Sequence, residues 1–185
     1  MTAWHLRQAV RVLRAGGLLA HPTEGVWGLA CDPLNAYAVE YLLASKQRSA
    51  RQGLILIAAD FAQLRPYLAD EVEAIQARIL PSWPGPVTWI LPAADWVPDW
   101  LGGGRATLAV RVTAHPVAAA LCRAFGDVLV STSANRSGRP AALNSTAVRA
   151  RLGESVDYIL PGTLQRPGHA SEIRDGATGK VLRPG

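Results

Sequence analysis

Val128–Pro140 reads VLVSTSANRSGRP, and the reading of the whole chain turns on it. Val128, Leu129 and Val130 form an apolar, β-branched run bounded by Gly126 and Asp127, which predicts a short buried strand. Polarity then changes abruptly. Ser131, Thr132, Ser133, Asn135 and Ser137 place hydroxyls and an amide just past the expected strand end, and Gly138 and Pro140 stop regular structure. Such groups, with free backbone N–H donors and Arg136 and Arg139 beside them, suit a phosphate or a carboxylate. An ordinary Ser/Gly turn accounts for the stretch by itself equally well, so the rest of the chain has to decide.

Working outward, 185 residues suffice for one sizeable core, so a single domain spanning 1–185 is expected. Hydrophobic residues make up 49% and charged residues 18%, the balance of a globular protein. No apolar run approaches the roughly 20 residues of a membrane span. The start, MTAWHLRQAVRVLRAGG, reads as an amphipathic helix rather than a leader, which points to the cytoplasm. Cys31 and Cys122 are far apart and are expected as buried thiols. His5, His21, His115 and His169 show no ligand spacing, so no metal is expected on protein side chains. The net charge is +5, and every basic residue except Lys46 and Lys180 is arginine. Between Trp100 and Gly153, Arg105, Arg111, Arg123, Arg136, Arg139, Arg149 and Arg151 face the single acid Asp127. That bias is either a solvated face or the footprint of a polyanion such as nucleotide phosphates or RNA.

Along the chain, Leu6, Ala9, Val10 and Leu13 follow helical spacing, with Thr2 as N-cap and Gly16–Gly17 as stop. Strands are expected at Gly17–Ala20 and Val26–Ala30, with a turn or bulge at Pro22. A second helix is capped by Asn35 and runs to about Lys46, before a basic loop and a strand within Gly53–Ala59. Asp60 is expected to cap a short helix through Leu68, and Asp70 another that buries Val72, Ile75 and Ile79. Val87–Leu91 and Thr107–Val112 read as strands, and Pro116 opens a helix to Phe125. Asp95–Arg105, carrying Gly102–Gly103–Gly104, is the most mobile-looking loop and a candidate lid. A helix near Ala147–Leu152 is capped by Ser145 or Asn144. Strands follow at Tyr158–Leu160, Glu172–Arg174 and Lys180–Arg183. Helices and strands mix without strict alternation, so the fold class is α/β (mixed α+β), one twisted mixed sheet with helices on its faces.

The phosphate-binding loop and the dinucleotide fingerprint are both missing. What remains are polar clusters beside expected strand ends: Pro22–Glu24, Lys46–Arg48, Thr107–Arg111, Ser131–Asn135, Ser171–Asp175 and Arg183–Gly185. Each alone has a structural explanation, such as a solvated helix end for Lys46 and Arg48. Arg111 is harder to explain so, because it sits inside the apolar strand LAVRV, where a charge needs a partner. Converging Lys, Arg, Ser and Asn side chains would suit a triphosphate.

These same segments carry a resemblance. HPTEGVWGLACDP, LLASKQR with GLILIAA, WPGPVTWILP, LAVRVTAHP, VSTSANRSGRP, SEIRD and VLRPG together resemble the YrdC/TsaC family of threonylcarbamoyl-AMP synthases, in its short single-domain bacterial branch. The resemblance covers nearly the whole chain. It implies a three-layer fold, with a twisted mixed sheet and a deep basic concave cleft. It also implies an ATP-dependent nucleotidyltransferase making threonylcarbamoyl-AMP and pyrophosphate from L-threonine, bicarbonate and ATP, with Mg2+ on the nucleotide. A downstream threonylcarbamoyl-transferase complex would then modify tRNAs that read codons beginning with A.

Carried over by motif, Lys46 and Arg48 are expected on the phosphates as the catalytic clamp. Gln52, Thr107, Asn135 and Arg183 are expected on the nucleotide, and Thr23, Arg111, Ser133 and Ser171 on threonine. Gly25 stands where longer relatives have threonine, their substrate-side histidine falls at about Ile57, Gln52 replaces a common asparagine, and a small hydroxyl is replaced around Leu143–Asn144. No protein nucleophile is needed: positioning and charge stabilisation suffice. The Gly102–Gly104 loop or the C-terminal tail would shield labile intermediates. An RNA-binding module without catalysis is the alternative from another class, and direct tRNA contact is open under either reading. Carbamoyl transfer in hydrogenase maturation ranks lower, because those domains belong to larger, zinc-finger-bearing chains.

Overall fold

The computed structural model describes residues 1–185 and is organised by one nine-stranded mixed sheet. In chain order the elements are α1 (Ala3–Arg14), β1 (Leu19–Pro22), β2 (Trp27–Cys31), α2 (Ala36–Lys46), β3 (Ile55–Ala58), α3 (Phe61–Leu64), α4 (Gln76–Ile79), β4 (Val87–Pro92), α5 (Asp99–Gly102), β5 (Thr107–Val112), α6 (Pro116–Phe125), β6 (Leu129–Ser133), α7 (Ser145–Leu152), β7 (Tyr158–Ile159), β8 (Glu172–Asp175) and β9 (Val181–Arg183). The strand order is β7-β1-β2-β6-β3-β5-β4-β8-β9. Three neighbouring pairs, β1 with β7, β3 with β5 and β4 with β8, are parallel and the rest antiparallel.

Strand alternation assigns the two faces. On one, Leu29, Leu56, Val110 and Val130 join Trp27, Trp89 and residues of α2 in the larger core. On the other, Leu19, Ala30, Ile57 and Leu129 pack against Ala9 and Leu13 of α1 and Leu121 and Cys122 of α6. The second face is only half covered. Moving along the same strands at the same parity, Leu129 gives way to Ser131 and Ser133, Ile57 to Ile55, and Ala30 to Gly28. Period-2 side-chain alternation therefore sets an apolar end under the helices and a polar end facing a hollow.

Several sequence expectations need correction. Ser131–Ser133 lies within β6, not past its end: Ser131, Thr132 and Ser133 pair with Ala30, Leu29 and Gly28 of β2. The change in polarity marks the emergence of one face into the hollow, not a strand terminus. Pro22 is the last residue of β1, opposite Trp27, rather than the centre of a bulge. Asp70 caps no helix. Its carboxylate takes a 2.5 Å bond from Arg65, and residues 70–75 form a 3-10 helix ahead of the single turn of α4. Asp60 caps as expected, accepting from Gln63 N, although α3 ends at Leu64 and a 3-10 turn completes the segment. Asn144, not Ser145, caps α7.

The Asp95–Arg105 stretch contributes to the cleft wall and is anchored at several points. Trp96 and Trp100 donate from Nε1 to the carbonyls of Pro66 and Pro33. Leu101 is buried and its carbonyl accepts from Leu54 N at 2.9 Å. Gly103, at φ 65°, lies so close to the Ala50–Gly53 backbone that a Cβ would come within 2.9 Å of three of its atoms.

Candidate active-site cleft

Helix α2 delivers the first cation. Asn35 Oδ1 caps it by accepting from Ala38 N at 3.1 Å. At its other end Gln47 adopts a left-handed conformation (φ 51°), and Arg48 N returns to the Leu43 carbonyl at 2.9 Å, closing the helix without a glycine. This hook turns Arg48 into the hollow, where one terminal nitrogen donates to the Gly53 carbonyl at 2.9 Å and the buried Nε has no partner. Lys46 is held differently. It is 2% exposed, and its ammonium donates to the Ser133 carbonyl and, at 2.7 Å, to the Asn135 carbonyl. Its own carbonyl accepts from Ser137 N at 2.8 Å. The last turn of α2 and the 133–137 turn are thus interlocked in both directions. Burial, and secondarily Arg48, pushes the Lys46 ammonium down to about 7.

The hollow has a volume of about 230 Å3 and opens beside a second of about 840 Å3 that shares Glu24, Gly25, Pro86, His169 and Ala170 with it. Thr107 and Arg111 line it from β5, and Ser133 from β6. Gln52 and Arg48 come from the α2–β3 connection, Thr23 from the β1–β2 turn, Ser171 from the residue just before β8 and Arg183 from β9. Eight of the ten residues expected at the site therefore share one lining. The other two, Lys46 and Asn135, stand behind it. Besides the ammonium of Lys46, the reason is that the Asn135 amide donates to the Arg136 and Arg139 carbonyls, leaving Oδ1 buried without a partner.

Charge on the lining is lopsided: Arg48, Arg105, Arg111 and Arg183 against Glu24. Burial and the neighbouring Arg183 lower the Arg48 pKa, and burial and Arg111 lower that of Arg183, so like charge crowds these guanidinium groups. Arg111 has found the counter-charge its apolar strand demanded. Glu24 lies 3.5 Å away, both side chains nearly buried. Burial pushes the Glu24 carboxyl up, but Arg111, the Thr113 hydroxyl at 2.7 Å and Ala114 N at 2.9 Å outweigh it and hold it below the usual carboxylate range. Arg111 Nε and Glu24 Oε2 still lack hydrogen bonds, which leaves donor capacity on the guanidinium.

Glu24 and Arg105 escaped the sequence reading. For Glu24 the signal was present, as the acid in a polar cluster at a strand end that could answer Arg111. Two of the departures from the family pattern, at Gly25 and Ile57, are also explained. Gly25 has no room for a side chain, since a Cβ would stand 1.5 Å from the His169 carbonyl oxygen. A strap over residues 165–170 crosses there, with Gln165 N and Arg166 N on the Glu24 carbonyl and Gly168 N on that of Gly25. Ile57 is fully buried against the α6 side of the sheet, so the cleft-facing residue of β3 is Ile55 instead. Thr23 donates to the Val26 carbonyl at 2.6 Å, and Ser171 accepts from Thr88 Oγ1 at 2.9 Å.

Comparison with known proteins identifies the family of the chain. The Sua5/YciO/YrdC family, described as "Telomere recombination", matches residues 11–185. A protein of Nitrosococcus oceani named threonylcarbamoyl-AMP synthase is 56% identical over 180 residues, 97% of each chain. One of Halorhodospira halophila with the same name is 55% identical over 184 residues, covering 97% of this chain and 94% of that one. Among solved structures, P. abyssi Sua5 complexed with L-threonine superposes over 100% of this chain with a TM-score of 0.90 at 34% identity. The chain spans 55% of that protein's length.

Proposed function

The chain belongs to the Sua5/YciO/YrdC family, and from that premise we propose that its cleft joins L-threonine, bicarbonate and ATP into threonylcarbamoyl-AMP, releasing pyrophosphate and water, for threonylcarbamoyl-adenosine modification of tRNA. The observation that carries this reading is the convergence of Arg48, Arg111 and Arg183, from three distant parts of the chain, on one hollow whose only acid is already engaged. Mutually repelling guanidinium groups are stabilised by a polyanion, and forked donors suit phosphate and carboxylate oxygens.

In this reading Arg48 and Arg183 grip the triphosphate, with Gln52 and Thr107 beside them on the nucleotide side. Arg111, oriented by Glu24, receives the threonine carboxylate through its free donors, with Thr23, Ser133 and Ser171 completing the amino-acid side. Lys46 has one N–H left after its two carbonyls. An anion nearby would raise its lowered pKa, so phosphate binding and protonation reinforce each other. Asn135 shapes the turn that Lys46 holds and reaches the nucleotide through that turn. The threonine amine adds to bicarbonate or its dissolved gas to give a carbamate. A carbamate oxygen then attacks the α-phosphorus, and the pyrophosphate leaves with its charge spread over the arginines.

The residues fit a magnesium ion carried on ATP. The lining's one carboxylate is held by Arg111, Thr113 and Ala114, so the phosphates themselves would supply the ligands. When bound, the ion would neutralise charge on the β- and γ-oxygens. The product's lability calls for a downstream transferase complex and a cytoplasmic setting near tRNA. No helix is long and apolar enough to cross a membrane. The test is to incubate the pure protein with ATP, magnesium and bicarbonate plus each amino acid in turn, following pyrophosphate and seeking the carbamoyl-adenylate by mass spectrometry. Threonine-dependent adenylate is expected. Tight tRNA binding with no adenylate from any amino acid would refute the reading in favour of an RNA-binding module.

A further inference from the structure

Strands β1, β2 and β6 lie side by side in that order. Side chains on β1 and β6 are therefore separated by a whole strand, roughly 9–10 Å between backbones. They meet only where the middle strand presents nothing. That is the arrangement at His21. It pairs in register with Gly28 of β2, and its Nε2 lies 3.2 Å from Ser131 Oγ on β6. A Cβ on Gly28 would stand 2.9 Å from each of these two atoms. His21 is completely buried, while Ser131 belongs to the cleft lining.

The partners fix the direction of this bond. His21 Nδ1 lies 3.2 Å from the Pro22 carbonyl oxygen, which can only accept, so Nδ1 carries the ring proton and Nε2 presents a lone pair. The Ser131 hydroxyl must then donate to Nε2, which turns its own lone pairs toward the cleft. Burial above all, with His115 and Arg111 adding to it against the Pro22 carbonyl and Glu24, pushes the imidazole down to about 4, so it stays neutral at working pH.

We propose that His21 is a positioning residue that reaches across Gly28 and locks the Ser131 hydroxyl as an acceptor for the amine N–H of the amino-acid substrate. The inference rests on the proposed amino-acid-activating function. A serine hydroxyl free to rotate meets donors and acceptors alike, whereas a locked one rewards only a donor. Arg111 supplies the cation for the carboxylate, so the pair reads both polar ends of an α-amino acid.

The test measures threonine binding by calorimetry, and KM for threonine and for ATP, in wild type, His21→Phe, His21→Gln, Ser131→Ala and the His21→Phe/Ser131→Ala double variant. His21→Phe is expected to weaken threonine by roughly 5- to 20-fold, the loss of one well-placed hydrogen bond, while the ATP KM holds. His21→Gln, which keeps an acceptor, recovers part of that loss. The double variant is no worse than Ser131→Ala alone, because both changes remove one interaction. Should His21→Phe fail to fold, His21→Leu, smaller and likewise without an acceptor, takes its place and is expected to reproduce the threonine-specific loss. Unchanged threonine affinity in the folded variants, equal losses for threonine and ATP, or additive effects in the double variant would overturn the proposal alone. A wild-type protein that takes no threonine would instead bring down the functional reading beneath it.

Discussion

Replacing Lys46 by methionine separates what the buried ammonium does for stability from what it does for the site. The charged form is penalised by burial, its pKa falling from 10.5 to about 7, a cost of about 5 kcal/mol at 1.36 kcal/mol per unit. The ammonium is held by two charge-assisted bonds to carbonyls. The Ser133 carbonyl also accepts from Asn135 N, so methionine orphans only the Asn135 carbonyl. Lys46→Met removes this penalty and leaves one carbonyl orphaned, and the variant is expected to fold while losing adenylate synthesis. The pH dependence provides the sharper check. Because the folded pKa lies below the unfolded one, the unfolded chain holds the extra proton between about 7 and 10.5. Wild type therefore gains stability relative to the variant as pH rises through that window, and the gain disappears as pH falls through 7. From pH 7 to 9 the difference grows by about 2 kcal/mol, or roughly 4–8 °C in Tm for a chain of this size. Denaturant melts of both proteins at pH 7, 8 and 9 measure it, with other titrating groups cancelling in the difference. A gap independent of pH would refute the buried-ammonium account.

Gly25→Ala must push the His169 carbonyl away from a Cβ placed 1.5 Å from it. The strap at 165–170 is expected to lift, costing about 1–3 kcal/mol and weakening the cleft edge near Glu24, as read by chemical melts and by proteolysis between Gln165 and Ala170. Cys31 and Cys122 are buried and free, burial raising both thiols and carrying Cys122 to about 12. A thiol reagent at pH 8 should leave them unmodified until denaturant is added, and rapid labelling of the folded protein would contradict their placement.

Much of this was legible from residues alone, and the failures have physical causes. Helices with strong local signals, such as Asn35 at the head of α2 and Pro116 at the head of α6, appear where they were expected. Short apolar runs such as Ile55–Ala58 and Thr107–Val112 announced their strands. The boundary of β6 was misjudged because polarity was taken as a strand end, when it reported which face of the sheet lies open. The Gly102–Gly104 loop looked free because its anchors, Pro33, Pro66 and the Ala50–Gly53 backbone, lie far off in sequence. At the site, Arg111 signalled a missing partner, but only the folded β1–β2 turn could bring up Glu24. Sequence order could not show that Lys46 would spend its donors on carbonyls of the 133–135 turn. The pairing of His21 with Ser131 needs three strands in register and a glycine between them, which no local pattern encodes.

The reciprocal grip between the end of α2 and the 133–137 turn means that two distant stretches of polypeptide gain or lose order as a single cooperative unit. Loosening either one releases the carbonyls and the amide holding the other. Arg48 and the serine-lined rim are consequently tied by the same bonds, so a change in one stretch is felt in the other.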